Sequence, residues 1–311
     1  MTKLLLPLLF LLPGGAFAAQ PSFNLEAVTL ETLRQLPVPA APAVSVPLRA
    51  GVRPADRYFN AYVLKAIDYL NANYGLKGYD INSILTHDIQ YYTYGTITAR
   101  HAPLTMCVAA QMEIILTSFE IYAKETGDYS VYNYLPKRSF EGLDVTDLKG
   151  HIWVNPAFNA NGTADALINF GMGERRTFEN LQPGDFVNIN RTTNTGHAVT
   201  FIGYIDQTGT VLPKYGPSVV GFKYFSSQGR AAAGQGGLDY RSAVFSQYGC
   251  PDLPGKRDCN VIYSADQKLL NTGAMLSPKF WTGVMPQPSS ALSAAPTTLN
   301  RAFFNGLTTD D

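Results

Sequence analysis

The 311 residues predict an α+β protein in which helices of the N-terminal half pack on an antiparallel β-sheet supplied by the second half. Three observations carry that expectation. Phe59, Tyr62, Val63, Ala66, Ile67 and Leu70 recur at three- and four-residue spacing, the signature of an amphipathic helix. Residues Cys107 to Lys124 (CVAAQMEIILTSFEIYAK) are apolar nearly all round, with Gln111, Glu113 and Glu120 as strongly polar interruptions, so they predict a buried helix. Beyond position 185 the apolar period falls to two and turn residues separate the runs, which predicts a meander of strands.

The elements follow in chain order. Met1 to Ala18 reads as a secretory signal peptide: Lys3, the apolar run Leu4 to Leu12, a Pro13-Gly14-Gly15 break and the small-x-small triplet Ala16-Phe17-Ala18. An uncleaved N-terminal anchor is the alternative for the same residues. A Pro-rich segment, 19–54, precedes the main domain, 55–285, and its stretch Pro37 to Pro54 has too much Pro for helix or central strand, so it is expected as an extended surface strap. Gly75 closes the first helix. Thr105 is the expected N-cap of the buried helix and Gly127 its stop signal. No assignment is made for 128–160. A short helix is expected from Thr163 to Phe170, ended by Gly171. Strands are expected over Asp185 to Asn190, Ala198 to Ile205 and Val219 to Phe225, with turns at Asn194-Thr195-Gly196, Thr208-Gly209 and Gly216-Pro217. The tail, 286–311, is of low complexity.

Charge and composition narrow the partners. Basic and acidic residues number 24 each, and the chain has no basic tail or polybasic stripe, so nucleic acid and anionic membrane surfaces are poor partners. After the N-terminal run no stretch is long and apolar enough to span a bilayer, so no stable membrane insertion is expected. The expected location is therefore exported, periplasmic or secreted. Tyrosine is abundant, at 18 residues, and its flat apolar face with a polar tip suits a groove for a polar polymer as well as it suits a core.

Three cysteines in an exported chain leave one outside any single disulfide. Cys250 and Cys259 enclose a loop containing Pro251, Pro254 and Gly255, and are read as a disulfide. Cys107 is then the remaining thiol. It stands at the start of the buried helix, where partial positive charge favours thiolate and the first-turn N–H groups can hold an oxyanion. A cysteine that merely packs is the plain alternative. Of the four histidines, His197 opens a strand directly after Gly196, is expected to project its ring from the sheet rim towards a helix packed on that sheet, and is the candidate base. His87 and His151 lack that context and are read as surface or structural histidines. Ser226-Ser227-Gln228 stand at the expected end of the next strand. Gln228 is the first choice to orient the imidazole and Ser227 the second, the decision resting on strand register. His101, six residues before Cys107, and Tyr94, thirteen before, are candidate oxyanion donors.

These residues form a pattern: a Cys opening an apolar helix, Leu181-Gln182-Pro183-Gly184-Asp185-Phe186-Val187, Gly196-His197-Ala198-Val199, and a polar residue closing the next strand. The pattern resembles the NlpC-type branch of papain-like cysteine peptidases and the related CHAP amidases, over roughly Pro103 to Gly229. The resemblance implies a papain-like fold and hydrolysis of amide bonds in bacterial peptidoglycan peptides, with Cys107 and His197 as the dyad and no metal or organic cofactor. The residues Thr105-Met106 before the cysteine and the insert Asp128 to Ala160 depart from it. A protein-directed protease or acyl transferase shares the same chemistry. A non-catalytic cell-wall binding protein on the same fold is the alternative of a different class, and a possible inhibitory partner is left unidentified.

Overall fold

The computed structural model describes residues 57–283 except 142–146, 154, 156–157, 192–195 and 254–256. The expected signal peptide, Pro-rich segment, C-terminal tail and the Asn194-Thr195 part of one turn lie outside the described residues. Within them the helices are α1 (Asn60–Tyr74), α2 (Cys107–Thr126), α3 (Leu148–Trp153) and α4 (Thr163–Asn169). A small hairpin, β1 (Ile89–Gln90) and β2 (Thr96–Ile97), lies between α1 and α2. The remaining strands are β3 (Gly173–Arg175), β4 (Phe186–Asn190), β5 (Gly196–Ile205), β6 (Val211–Leu212), β7 (Gly221–Gly229), β8 (Gly236–Phe245), β9 (Arg257–Val261) and β10 (Leu270–Met275). They form an eight-stranded sheet of order β3-β10-β4-β5-β7-β8-β9, with β6 paired to β5.

The α+β class stands, and the meander holds through β4, β5, β7 and β8, each antiparallel to the next. Two pairings depart from it: β10 returns to sit between β3 and β4, and β9 runs parallel to β8. The segment 128–160, left unassigned above, contains two single 3₁₀ turns and α3. α2 stops where expected, at Gly127, whose φ of 73° is left-handed and whose N–H closes on Ala123 O.

Alternation along the strands separates two cores. Phe186, Ala198, Phe225 and Leu238 join α1 and α2 in one apolar cluster. Val187, Ile189, Val199, Phe201, Phe222 and Tyr224 join Phe178, Phe245 and Val261 in another. The sheet lies between them. A bulge in β5 between Phe201 and Gly203 lets Tyr204 follow Phe201 onto the second face, opposite Phe222. The Pro183-Gly184-Asp185 turn feeds β4: Gly184 sits at φ 93°, and the Asp185 carboxylate accepts from Gln182 N (2.8 Å), Asn60 Nδ2 (2.7 Å) and Arg176 Nη1 (3.2 Å). That turn therefore ties β4 to α1. Cys250 and Cys259 form a disulfide with Cα atoms 5.3 Å apart, and Cys107 stands outside it.

Candidate functional site

α2 begins at Cys107 itself. The residue before it, Met106, is the N-cap, extended at φ −118° and ψ 168°, and contributes no side-chain cap. Thr105 is thus not the cap: it lies one residue too early, bridged to Tyr79 in extended backbone, and its Oγ1 is buried without a hydrogen-bond partner. Its carbonyl instead accepts from Ser227 Oγ (3.0 Å) and from Asp80 N (3.4 Å). The nucleophile candidate is therefore strapped to the end of β7 through Ser227. The first turn of α2 keeps its N–H groups uncovered by any cap side chain, and carries the helix's partial positive charge to Cys107. Cys107 is buried, 1% exposed.

The next turn of α2 grips β5. Gln111 Nε2 donates to Ala198 O (3.3 Å), and Thr200 Oγ1 donates to Gln111 Oε1 (2.6 Å). Ala198 and Thr200 therefore face α2. His197, next to Ala198 in alternation and opposite Ile189 in β4, belongs to the other face and not, as expected, to the face of the helix. Its ring meets the Tyr224 ring edge-on at 5.6 Å and is likewise 1% exposed. Burial, then the Arg191 and Arg241 charges, hold its pKa well below the usual histidine value. The imidazole is neutral at physiological pH.

Cys107, at the start of the helix packed on one face, and His197, on the other face, thus lie towards the same end of the sheet on opposite sides of it. The sheet itself loosens there. The ladder between β5 and β7 ends at Thr200↔Phe225, and beyond it Ser226 Oγ donates to Ala198 O (2.6 Å) across the gap.

Ser226, Ser227 and Gln228 stand at the end of β7, as the sequence led us to expect, but as paired residues of the strand, opposite Asp239, Leu238 and Gly237 of β8, with Gly229 closing it. The strand runs on because β8 offers a full-length partner. Alternation then assigns each residue a face. Ser227 shares its face with Leu238, Phe225 and α2, and is bonded to Thr105. Gln228 shares the His197 face, where its Oε1 accepts from the Tyr224 hydroxyl (2.8 Å), so it meets the histidine's neighbour. Continuing the register of β5 on β7 would set Gln228 opposite His197.

The remaining candidates make other contacts. The Tyr94 hydroxyl donates to Asn133 Oδ1 (3.1 Å) and its side chain is largely exposed. His101 is exposed, at φ 63°, with Nδ1 3.6 Å from Asp80. His151 is buried against Phe158 and Phe170, a structural histidine as expected. His87 is more elaborate than a surface histidine. Its ring lies parallel to Tyr74 at 4.2 Å, and its Nδ1 is 3.1 Å from the buried Glu113 carboxylate, which also accepts from Thr86 N (3.1 Å) and the Thr86 hydroxyl.

Sequence reasoning missed the charged cluster beside His197. Arg241 donates to the carbonyls of Ser226, Gln228 and Gly237, and Arg191 pairs with Asp258, all buried or nearly so. The available signal was an arginine in the middle of an alternating strand, Leu238-Asp239-Tyr240-Arg241-Ser242. Among the described residues no group of three or more His, Cys, Asp or Glu is placed to hold a metal ion. No family model, curated protein or solved structure matches this chain.

Proposed function

We propose that the chain is an exported thiol hydrolase of the papain-like, NlpC-type kind that cleaves amide bonds in peptidoglycan peptides, with Cys107 as nucleophile and His197 as base. The observation that carries the reading is the start of α2: the one cysteine outside the disulfide opens a buried helix with no capping side chain, strapped to the strand end that also bears Gln228. A neutral His197 at the same end of the sheet adds a proton acceptor.

In this reading His197 takes the Cys107 proton and the thiolate attacks the peptide carbonyl. The oxyanion is held by the uncapped N–H groups of the first turn. His197 returns the proton to the leaving amine, and water then releases the acyl group from sulfur. Because Cys107 and His197 lie on opposite faces of the sheet, this reading requires the strand end, where the β5–β7 ladder has stopped, to bring them within hydrogen-bond reach. Ser226, bridging to Ala198, holds that end in register.

The test is hydrolysis of purified muropeptides by the full chain, read by mass. Cys107→Ala and His197→Ala should each lower the rate by roughly 10⁴-fold, the scale on which loss of one member of a nucleophile–base pair acts. Undiminished hydrolysis by Cys107→Ala would sink the proposal. Hydrolysis that survives His197→Ala alone would move the base to another histidine. Since His197 stays neutral below the ordinary histidine range, the acid limb of the rate profile should fall below pH 6.5.

A second reading, a non-catalytic wall-binding protein, is favoured by one observation: Cys107 and His197 are both 1% exposed. Iodoacetamide separates the two. A nucleophile should be alkylated near neutral pH faster than the thiol of the denatured chain, and a packing thiol more slowly.

A further inference from the structure

Six large apolar side chains stand out as exposed among the described residues, and three of them, Tyr92 (41%), Tyr94 (52%) and Tyr129 (41%), lie together. Tyr92 stacks on Tyr129 at 4.9 Å and on Tyr132 at 5.5 Å, and meets Tyr94 edge-on at 6.0 Å. The rings have a rigid backing. Tyr91 is fully buried, donates its hydroxyl to Leu135 O (2.7 Å), and packs on Tyr132 and Phe140. Tyr92 sits at the tip of the β1–β2 hairpin with φ 48°, a left-handed conformation that a side-chain-bearing residue adopts at a cost. Gln90 Nε2 holds that turn by donating to Tyr92 O (2.8 Å). The turn thus holds Tyr92 in a cluster of rings of which three keep 41–52% of their surface exposed, an apolar patch of the kind that marks a binding surface.

The surroundings define what the rings would meet. The charges nearby are engaged: Glu120 pairs with Lys124, Lys137 with Glu141, and the Asp128 carboxylate beside Tyr129 accepts from Ser130 N and the Tyr122 hydroxyl. Polar atoms at the edge are amides and hydroxyls: Asn133 beside Tyr94, and Gln90 with Thr96. Flat apolar faces rimmed by these hydrogen-bonding groups match a sugar ring, which has an apolar C–H face and a rim of hydroxyls.

We infer that Tyr92, Tyr94 and Tyr129 form a preorganised platform for a neutral polysaccharide. The inference does not depend on the catalytic reading, which gives Tyr92, Tyr94 and Tyr129 no part in the proposed reaction. Rings already held by their neighbours lose little freedom on binding, so a sugar can stack on them at low entropic cost.

The test is calorimetric titration of the full chain carrying Cys107→Ala, so that no turnover intrudes, with chitotetraose and with cellotetraose. Saturable binding of at least one sugar is expected. Adding Tyr94→Ala or Tyr129→Ala should weaken it about fivefold or more, while Tyr94→Phe, which keeps the ring, should stay within about twofold. Thermal melts of each variant exclude loss of fold as the cause. Absence of binding to both sugars would overturn the inference, as would binding that Tyr94→Ala and Tyr129→Ala leave unchanged. A protein partner captured through these rings with no sugar binding would overturn it too.

Discussion

On the helix face of the sheet, α2 meets β5 through small residues, Ala198 and Thr200, and the polar groups buried there answer one another as neutral pairs: Gln111 with Thr200 and Ala198 O, Ser227 with Thr105 O. On the other face, charge is buried. Arg191 faces Asp258, Arg241 is held by three backbone carbonyls, and a neutral histidine sits within reach of both arginines. The comparison separates two tasks. The Cys107 face is held by packing and neutral hydrogen bonds, which fix a helix terminus in place, whereas on the His197 face burial first, and then the two cations, keep an imidazole unprotonated.

The largest effect expected from this contrast comes from Asp258. Asp258→Asn leaves the Arg191 charge buried without its counter-ion, beside a second arginine, and should cost about 4 kcal/mol in urea unfolding. Replacing Arg191 as well, by Met, should restore most of the loss, because the uncompensated charge goes with it. A loss under about 1 kcal/mol for Asp258→Asn would mean that water reaches the pair and that the two faces do not differ as described.

Next in size is a pH effect at the turn that joins β4 to α1. Asp185 has an arginine and two other donors, yet burial outweighs them and pushes its pKa from 3.8 up to about 6. The folded chain then binds a proton that the unfolded chain has released, so stability falls as pH rises from about 4 to about 6 and stays lowered above. A shift of that size corresponds to about 3 kcal/mol. Urea unfolding against pH should show that decline in the wild type and a flatter line in Asp185→Asn. If the wild type gains stability over the same window, the arginine outweighs burial and Asp185 belongs with Asp258 as a charged partner.

A smaller loss is expected on α2. Glu113→Ala removes the acceptor for Thr86 N and the Thr86 hydroxyl and the carboxylate facing His87, for about 2 kcal/mol. The His87 ring should also lose its fixed orientation against Tyr74, visible as a change in the ring-current shift of its protons. Unchanged shifts would show that stacking alone places the ring.

Much of this was readable from the residues. The spacing of Val63, Ala66, Ile67 and Leu70 marked α1, the apolar run from Cys107 marked α2, alternation marked β4, and β-branched and aromatic runs marked β5 and β7. The pairing of β10 with β4 was not readable, because its contacts join residues about 80 apart in the chain and local pattern carries no such information. The faces were more legible than the reading took them to be. In His197-Ala198-Val199-Thr200-Phe201 the small residues alternate with the large, and a helix packs closely against the small ones, which puts His197 with Val199 and Phe201 away from α2. Glu113 was likewise visible as an acid in an otherwise apolar helix, yet its partners Thr86 and His87 come from a loop that no periodicity describes.

The smallest effect tests the neutral side of the contrast. Thr200→Val keeps the shape of the side chain and removes the hydroxyl that donates to Gln111 Oε1, leaving a buried amide oxygen short of its partner. The expected cost is about 1.5 kcal/mol, well below that of Asp258→Asn, because no charge is stranded. Replacing Gln111 together with Thr200, as Gln111→Leu with Thr200→Val, should recover part of it, since both polar partners then leave the interface. Were the single change as costly as Asp258→Asn, the helix face would be carrying more than packing and neutral bonds. The grip of Gln111 on β5 would then itself be what sets the position of Cys107 at the strand end, and thiol reactivity would fall with stability in the same variant.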